Sequence, residues 1–244
     1  MKLRNKTALV TGGAVRIGAA ICEALAKEGC QVVVHCHESL REAERLSRKL
    51  AGMGVKAWVC QGALETDADC RALIHRAWEQ AGRLDILINN ASVFHKETLS
   101  VVTGSALSRE FGINLFVPIL LTRYFAECTR AGMVINLLDR RIEAHDPECL
   151  PYSLTKKALA AFTREAALAL APGIVVNAVA PGAVLPPPGK NKNYLFDRAG
   201  RIPLESRITP RHVAAGVIAL LKLEGVTGQT LFVDGGQHLL GNGV

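Results

Sequence analysis

Tyr152 and Lys156 stand four residues apart in "PYSLTKK". On a helix that spacing puts both side chains on one face. A phenol beside an ammonium has its phenolate favoured, by about 1.4 kcal/mol for each unit of pKa. Such a tyrosine is a proton donor working near neutral pH. Taken alone the pair is a weak signal, because a surface Tyr and Lys on an exposed turn would look the same. Asp139, in "VINLLDRR", lies thirteen residues before the tyrosine. A carboxylate accepts hydrogen bonds and repels a developing alkoxide, so it suits an ordinary ketone poorly. It suits a substrate rich in N–H donors, or one whose nitrogen must be protonated. A purely structural aspartate is the competing explanation.

A second chemical stretch is "TGGAVRIG", residues 11–18, between an apolar run and an alanine-rich helix. Gly12 and Gly18 permit a tight turn and a close helix approach, with Ile17 beside them, and a pyrophosphate would sit at the helix N-terminus. Arg16 adds a cation to a loop otherwise built for backbone. Beside an adenosine ribose phosphate it favours NADPH over NADH.

The elements that carry these residues alternate. Strands are expected over 7–13, 31–36, 56–62, 84–92, 133–139, 174–182 and 229–236. Helices are expected over 16–29, 39–54, 67–82, 105–132, 151–173 and 209–225. Short apolar strands without polar alternation are buried on both faces, which implies a parallel sheet with crossover helices. The expected fold class is therefore α/β, a single-domain Rossmann-type doubly wound sheet of about seven strands with helices on both faces, spanning 1–244. Such sheets bind ligands at the C-terminal strand ends. Asn90, Ala91 and Ser92, then Asp139, then Pro181 and Gly182 all fall there. After the second strand, Cys36 is neutral and Ser39 can donate to a phosphate, whereas Glu38 dissents. The stretch 183–200, with its proline run, is expected to be a substrate lid, a plain surface insertion being the alternative. The helix "LTKKALAAFTREAALALA" is apolar on more faces than one sheet contact covers, which predicts a homo-oligomer.

Composition narrows the classes. Of 244 residues, 49% are hydrophobic and 21% charged, which excludes a disordered chain. The apolar runs are interrupted before bilayer length and no signal-peptide pattern is visible, so a cytoplasmic protein with no membrane partner is expected. The seven cysteines form no CxxC pair and are read as buried thiols. "HCH" (His35, Cys36, His37) invites a metal, but strand side chains alternate faces, and no metal site is expected. The net charge of +7 is spread along the chain without an aromatic-basic motif, so a small anionic ligand is expected rather than nucleic acid.

"TGGAVRIG", "NNAS", Asn114 in "INLFVP", the Tyr152/Lys156 pair, "NAVAPG" and the closing "VDGG" together resemble the short-chain dehydrogenase/reductase family over nearly the whole chain. The resemblance implies that Tyr152 is the general acid, that Lys156 holds the cofactor ribose and lowers the Tyr152 pKa, and that Asn114 positions a relay water. It implies NADPH contacts from Gly12, Arg16, Ile17, Gly18, His37, Ser39, Ala63, Leu64, Asn90, Ala91, Ser92, Tyr152, Lys156, Pro181 and Gly182. Ala63 departs from the family's adenine-binding aspartate, leaving only backbone contacts from Ala63 and Leu64. Asp139 departs from its usual serine. Arg16, Asp139 and "NNASVF" together resemble the pteridine reductase and dihydromonapterin or dihydrofolate reductase branch. That branch implies a pterin stacked on Phe94 and bound by Ser92, Asp139 and Tyr152. A core role for Phe94 is the alternative. Family analogy implies a tetramer. The competing activities are reduction of a 3-oxoacyl thioester or similar ketone, and non-catalytic NADPH binding.

Overall fold

A computed structural model describes residues 2–186 and 200–241. Seven strands form one parallel sheet: β1 Thr7–Val10, β2 Gln31–Cys36, β3 Ala57–Gln61, β4 Ile86–Asn89, β5 Gly132–Leu137, β6 Ile174–Pro181 and β7 Thr230–Val233. Their order is β3-β2-β1-β4-β5-β6-β7. The chain reverses its direction of winding between β1 and β4, which opens a crevice at their C-terminal ends.

Among the described residues the α-helices are α1 Arg16–Lys27, α2 Leu40–Ala51, α3 Asp67–Ala81, α4 Gly104–Phe111, α5 Val117–Cys128, α6 Leu150–Ala169 and α7 Pro210–Lys222. The strands explain their placement. Successive side chains point to opposite faces, and both sets are apolar. Ala8, Val10, Ile86 and Ile88 pack with Ile21, Leu25, Leu50 and Val217 from α1, α2 and α7. Leu9, Leu87 and Val134 pack on the other face with Ile74, Leu121 and Phe125 from α3 and α5. The α/β architecture expected from the sequence is the one observed.

Most element ends lie inside the expected ranges, and two differences have a clear physical cause. The strand expected over 7–13 ends at Val10, because Gly12 takes φ 58° and turns the chain out of the sheet. The helix expected over 105–132 is broken into α4, a π turn at Gly112–Phe116, and α5. Pro118 has no N–H to return to the carbonyl of Asn114, four residues back, so regular α pairing fails there. π turns of this kind recur at functional sites. By length and mean hydropathy the run 104–128 would pass as a membrane span. Leu121 and Phe125 are instead fully buried against the sheet. Most of the stretch read as a lid, 183–200, lies outside the described residues.

Candidate active site

The glycine loop is held by a polar lattice on three strand ends. The Thr11 hydroxyl donates to the Ile88 carbonyl at 3.2 Å and accepts from the N–H groups of Asn90 and Ala91 at 2.9 and 3.0 Å. The Asn90 amide donates back to the carbonyls of Thr11 and Gly12, at 2.8 and 3.1 Å. The Gly12 N–H donates to His35 Nδ1 at 3.2 Å, and His35 Nε2 lies 3.1 Å from the Gly62 carbonyl. Those partners fix the neutral tautomer with its proton on Nε2. Burial, against the Gly62 hydrogen bond, pulls the His35 pKa down to about 4. His35 is thus a neutral strut joining the ends of β1, β2 and β3.

Gly18 lies so close to this lattice that a Cβ there would strike the Gly12 carbonyl oxygen and the Asn90 amide. Arg16 opens α1 at φ 55°, a left-handed conformation unusual for a side-chain-bearing residue. Its guanidinium is exposed and donates to the Pro186 carbonyl at 2.9 Å. Ile17 is half-buried beside it. Farther along the same edge, His37 and Glu38 are exposed, Ser39 and Ala63 half-buried and Leu64 buried. Pro181 is buried at the end of β6, and the Gly182 N–H donates to the Val233 carbonyl at 3.0 Å.

The titratable cluster lies where β5 ends. Tyr152, buried on α6, donates its hydroxyl proton to Asp139 Oδ2 at 3.1 Å. Asp139 also accepts from the Arg141 N–H at 2.9 Å and from Arg141 Nη1 at 3.1 and 3.2 Å. Arg141 Nε donates in turn to Asp146 Oδ2 at 2.7 Å. Phe94 meets the Tyr152 ring edge-to-face, centroids 4.8 Å apart, and the Arg141 guanidinium lies 5.6 Å from the Phe94 centroid. Phe94 is therefore on the rim of the site, half-buried, and not a core residue.

The Tyr152 phenol is pushed well above its ordinary value by burial and by the Asp139 carboxylate, with Arg141 opposing. Lys156 Nζ donates to the Leu137 carbonyl at 2.8 Å and stands 5.6 Å from the Tyr152 ring centroid. Burial brings the Lys156 pKa down to about 8, against the pull of Asp139 and Glu110. Tyr152 is consequently protonated at neutral pH.

Asn114 sits in the π turn with its side chain entirely engaged. Its Oδ1 accepts from the Ser92 hydroxyl and the Val93 N–H, both at 2.9 Å. Its Nδ2 donates to the Val93 carbonyl at 3.0 Å and to Glu110 Oε2 at 2.7 Å. Glu110 Oε1 accepts from the His95 N–H at 3.1 Å and lies 2.7 Å from His95 Nδ1. Asn114 and Glu110 thus clamp the 92–95 segment that presents Ser92 and Phe94, and a relay water would have to meet the Asn114 main chain.

Sequence reasoning did not assign Thr11, His35, Glu110 or Arg141. His35 was visible within "HCH" but suggested only a metal. No motif or spacing marks Glu110 or Arg141, and only folding shows one fully buried and the other paired to Asp139.

The short chain dehydrogenase model matches residues 6–194, a span that runs from the glycine loop through the Tyr152/Lys156 pair. The chain belongs to the short-chain dehydrogenase family. As a short-chain dehydrogenase it is an oxidoreductase by family. It is 35% identical to FolM alternative dihydrofolate reductase 1 from Brucella canis, crystallised with NADP, at a TM-score of 0.92 with 98% of this chain and 96% of that one covered. It is 31% identical to a blue fluorescent protein from a metagenomic library, crystallised with NADPH, at a TM-score of 0.86 with 97% and 99% covered. General stress protein 39 of Bacillus subtilis (strain 168) is 34% identical, with 98% of this chain and 86% of that protein covered.

Proposed function

We propose that this short-chain dehydrogenase is an NADPH-dependent reductase of a C=N bond in a dihydropterin-like ring. The observation that carries the reading is the Asp139 carboxylate, turned inward onto the Tyr152 hydroxyl and flanked by the rim of Phe94. A carboxylate in that position accepts N–H donors, which a pterin's amino group and ring nitrogens offer and a ketone does not. The match to a FolM alternative dihydrofolate reductase supports the same substrate class.

The cofactor fits the chain. Gly18 lets the first turn of α1 pack directly on the Gly12 carbonyl, which brings the helix N-terminus to the end of β1 where a pyrophosphate would sit, and Arg16 would supply a cation for the ribose phosphate. Gly12, Ile17, Ser39, Asn90, Ala91, Lys156, Pro181 and Gly182 would line the remainder, with His37, Ala63 and Leu64 toward the adenine. When bound, NADPH supplies a hydride. Phe94 stacks the ring, Ser92 and Asp139 orient it, and Tyr152 holds the proton destined for a ring nitrogen. Lys156 keeps a positive charge beside that proton donor. The apolar α6, which exposes Leu154 and Leu168, supports a homo-oligomer.

The test is NADPH oxidation with dihydrobiopterin, dihydromonapterin, dihydrofolate and an acetoacetyl thioester offered in parallel. Turnover of at least one pterin, with the thioester inert, is the expected result. Efficient thioester reduction without pterin turnover overturns the reading.

A further inference from the structure

Arg141 is unusual among the charged residues near this site because it touches two groups of the pocket and reaches neither by chance of a flexible end. Its side chain is about three-quarters buried and held at two places. Nη1 bridges both oxygens of Asp139, while Nε is tied to Asp146 on the turn that leads into α6. The guanidinium carbon also lies over the Phe94 ring, 5.6 Å from its centroid. Charge-assisted hydrogen bonds from one planar guanidinium to two carboxylates hold them in direction as well as in charge.

We propose that Arg141 is the positioning residue that gives this pocket its selectivity: anchored by Asp146, it sets the Asp139 carboxylate against Tyr152 and lies over the Phe94 ring, so that acceptor and stacking platform keep one spacing. The inference rests on the pterin reading for the ligand it names, but the Arg141–Asp139–Tyr152 coupling stands on geometry alone.

Without the guanidinium, one face of Asp139 is left to a single main-chain N–H and the Tyr152 hydroxyl. The carboxylate is then free to rotate away from an incoming ring. Other charges around Tyr152 and Lys156 are Glu110 from α4, Arg140 beside Asp139, and Asp146; none of them has a hydrogen bond to Asp139 that would replace the one lost.

Two readouts separate this role from a merely structural one. The first is dihydrobiopterin affinity in the NADP complex for Arg141→Met, Arg141→Lys, Asp139→Asn and the Asp139→Asn/Arg141→Met double variant. Arg141→Met is expected to weaken dihydrobiopterin about tenfold or more, the worth of a charge-assisted hydrogen bond, while NADP affinity is unchanged. Arg141→Lys restores part of the loss. In the Asp139→Asn background the same change is expected to matter less than about twofold, because groups acting through one another do not add.

The second readout needs no substrate. The chain has three tyrosines, so the [13C]ζ NMR signal of Tyr152 is assigned by its disappearance in Tyr152→Phe. That signal is expected to move in Arg141→Met and in Asp139→Asn, with no further movement in the double variant. If wild-type protein binds and turns over no pterin, the substrate reading fails and the NMR coupling still decides the role of Arg141. A folded Arg141→Met protein with an unmoved Tyr152 signal, or additive losses in the double variant, overturns the inference.

Discussion

At the scale of single residues, the site keeps its proton donor loaded and its cation poised. Tyr152 is buried against a carboxylate, so its proton stays on at neutral pH. Tyr152→Phe is expected to lower kcat by about 10²–10⁴-fold while leaving NADPH binding intact, read by steady-state kinetics and cofactor fluorescence. Lys156 is held in a place that disfavours its charge. Its folded pKa of about 8 lies below the unfolded value, so between those pH values the unfolded chain binds more protons and stability rises with pH. The ammonium therefore costs stability at pH 7 and is relieved as pH climbs past 8. Lys156→Met is expected to raise the Tm of the cofactor-free protein at pH 7, with the advantage shrinking toward pH 10. Thermal melts across that range check it, and an advantage that grows with pH would contradict the assignment.

At the scale of elements, function depends on where regular structure stops. The turn after β1 works because Gly18 lets α1 approach the Gly12 carbonyl, and because Thr11 and Asn90 lock that turn to the end of β4. Gly18→Ala is expected to destabilise the chain by about 1–3 kcal/mol, roughly 2–10 °C in Tm, and to weaken NADPH binding at the same time. Calorimetry and a cofactor titration measure the two together. Loss of Tm with full cofactor affinity would mean the loop is not the phosphate cradle. The π turn does comparable work on the opposite side of the crevice, carrying Asn114 to the segment that bears Ser92 and Phe94.

At the scale of the whole molecule, a sheet covered on both faces leaves its chemistry to one edge, and apolar side chains remain exposed on α6. Leu168 is 80% exposed and Leu154 43% exposed on α6. The Leu154→Glu/Leu168→Glu variant is expected to run as a smaller species than the wild type by light scattering coupled to size exclusion. An unchanged mass would overturn the reading of α6 as an interface between copies. The sequence alone determined the layered α/β plan, because two apolar faces on short strands admit few other packings. It also determined the glycine loop and the Tyr152/Lys156 pair, whose meaning resides in local spacing. Tertiary structure decided the rest. His35, Glu110 and Arg141 draw their roles from partners 23 residues away in His35–Gly12, 15 in His95–Glu110, and on a neighbouring turn in Arg141–Asp146. The direction of the Tyr152 pKa was likewise undecidable from spacing, because desolvation and the charge of Asp139 exist only once the chain has closed around them.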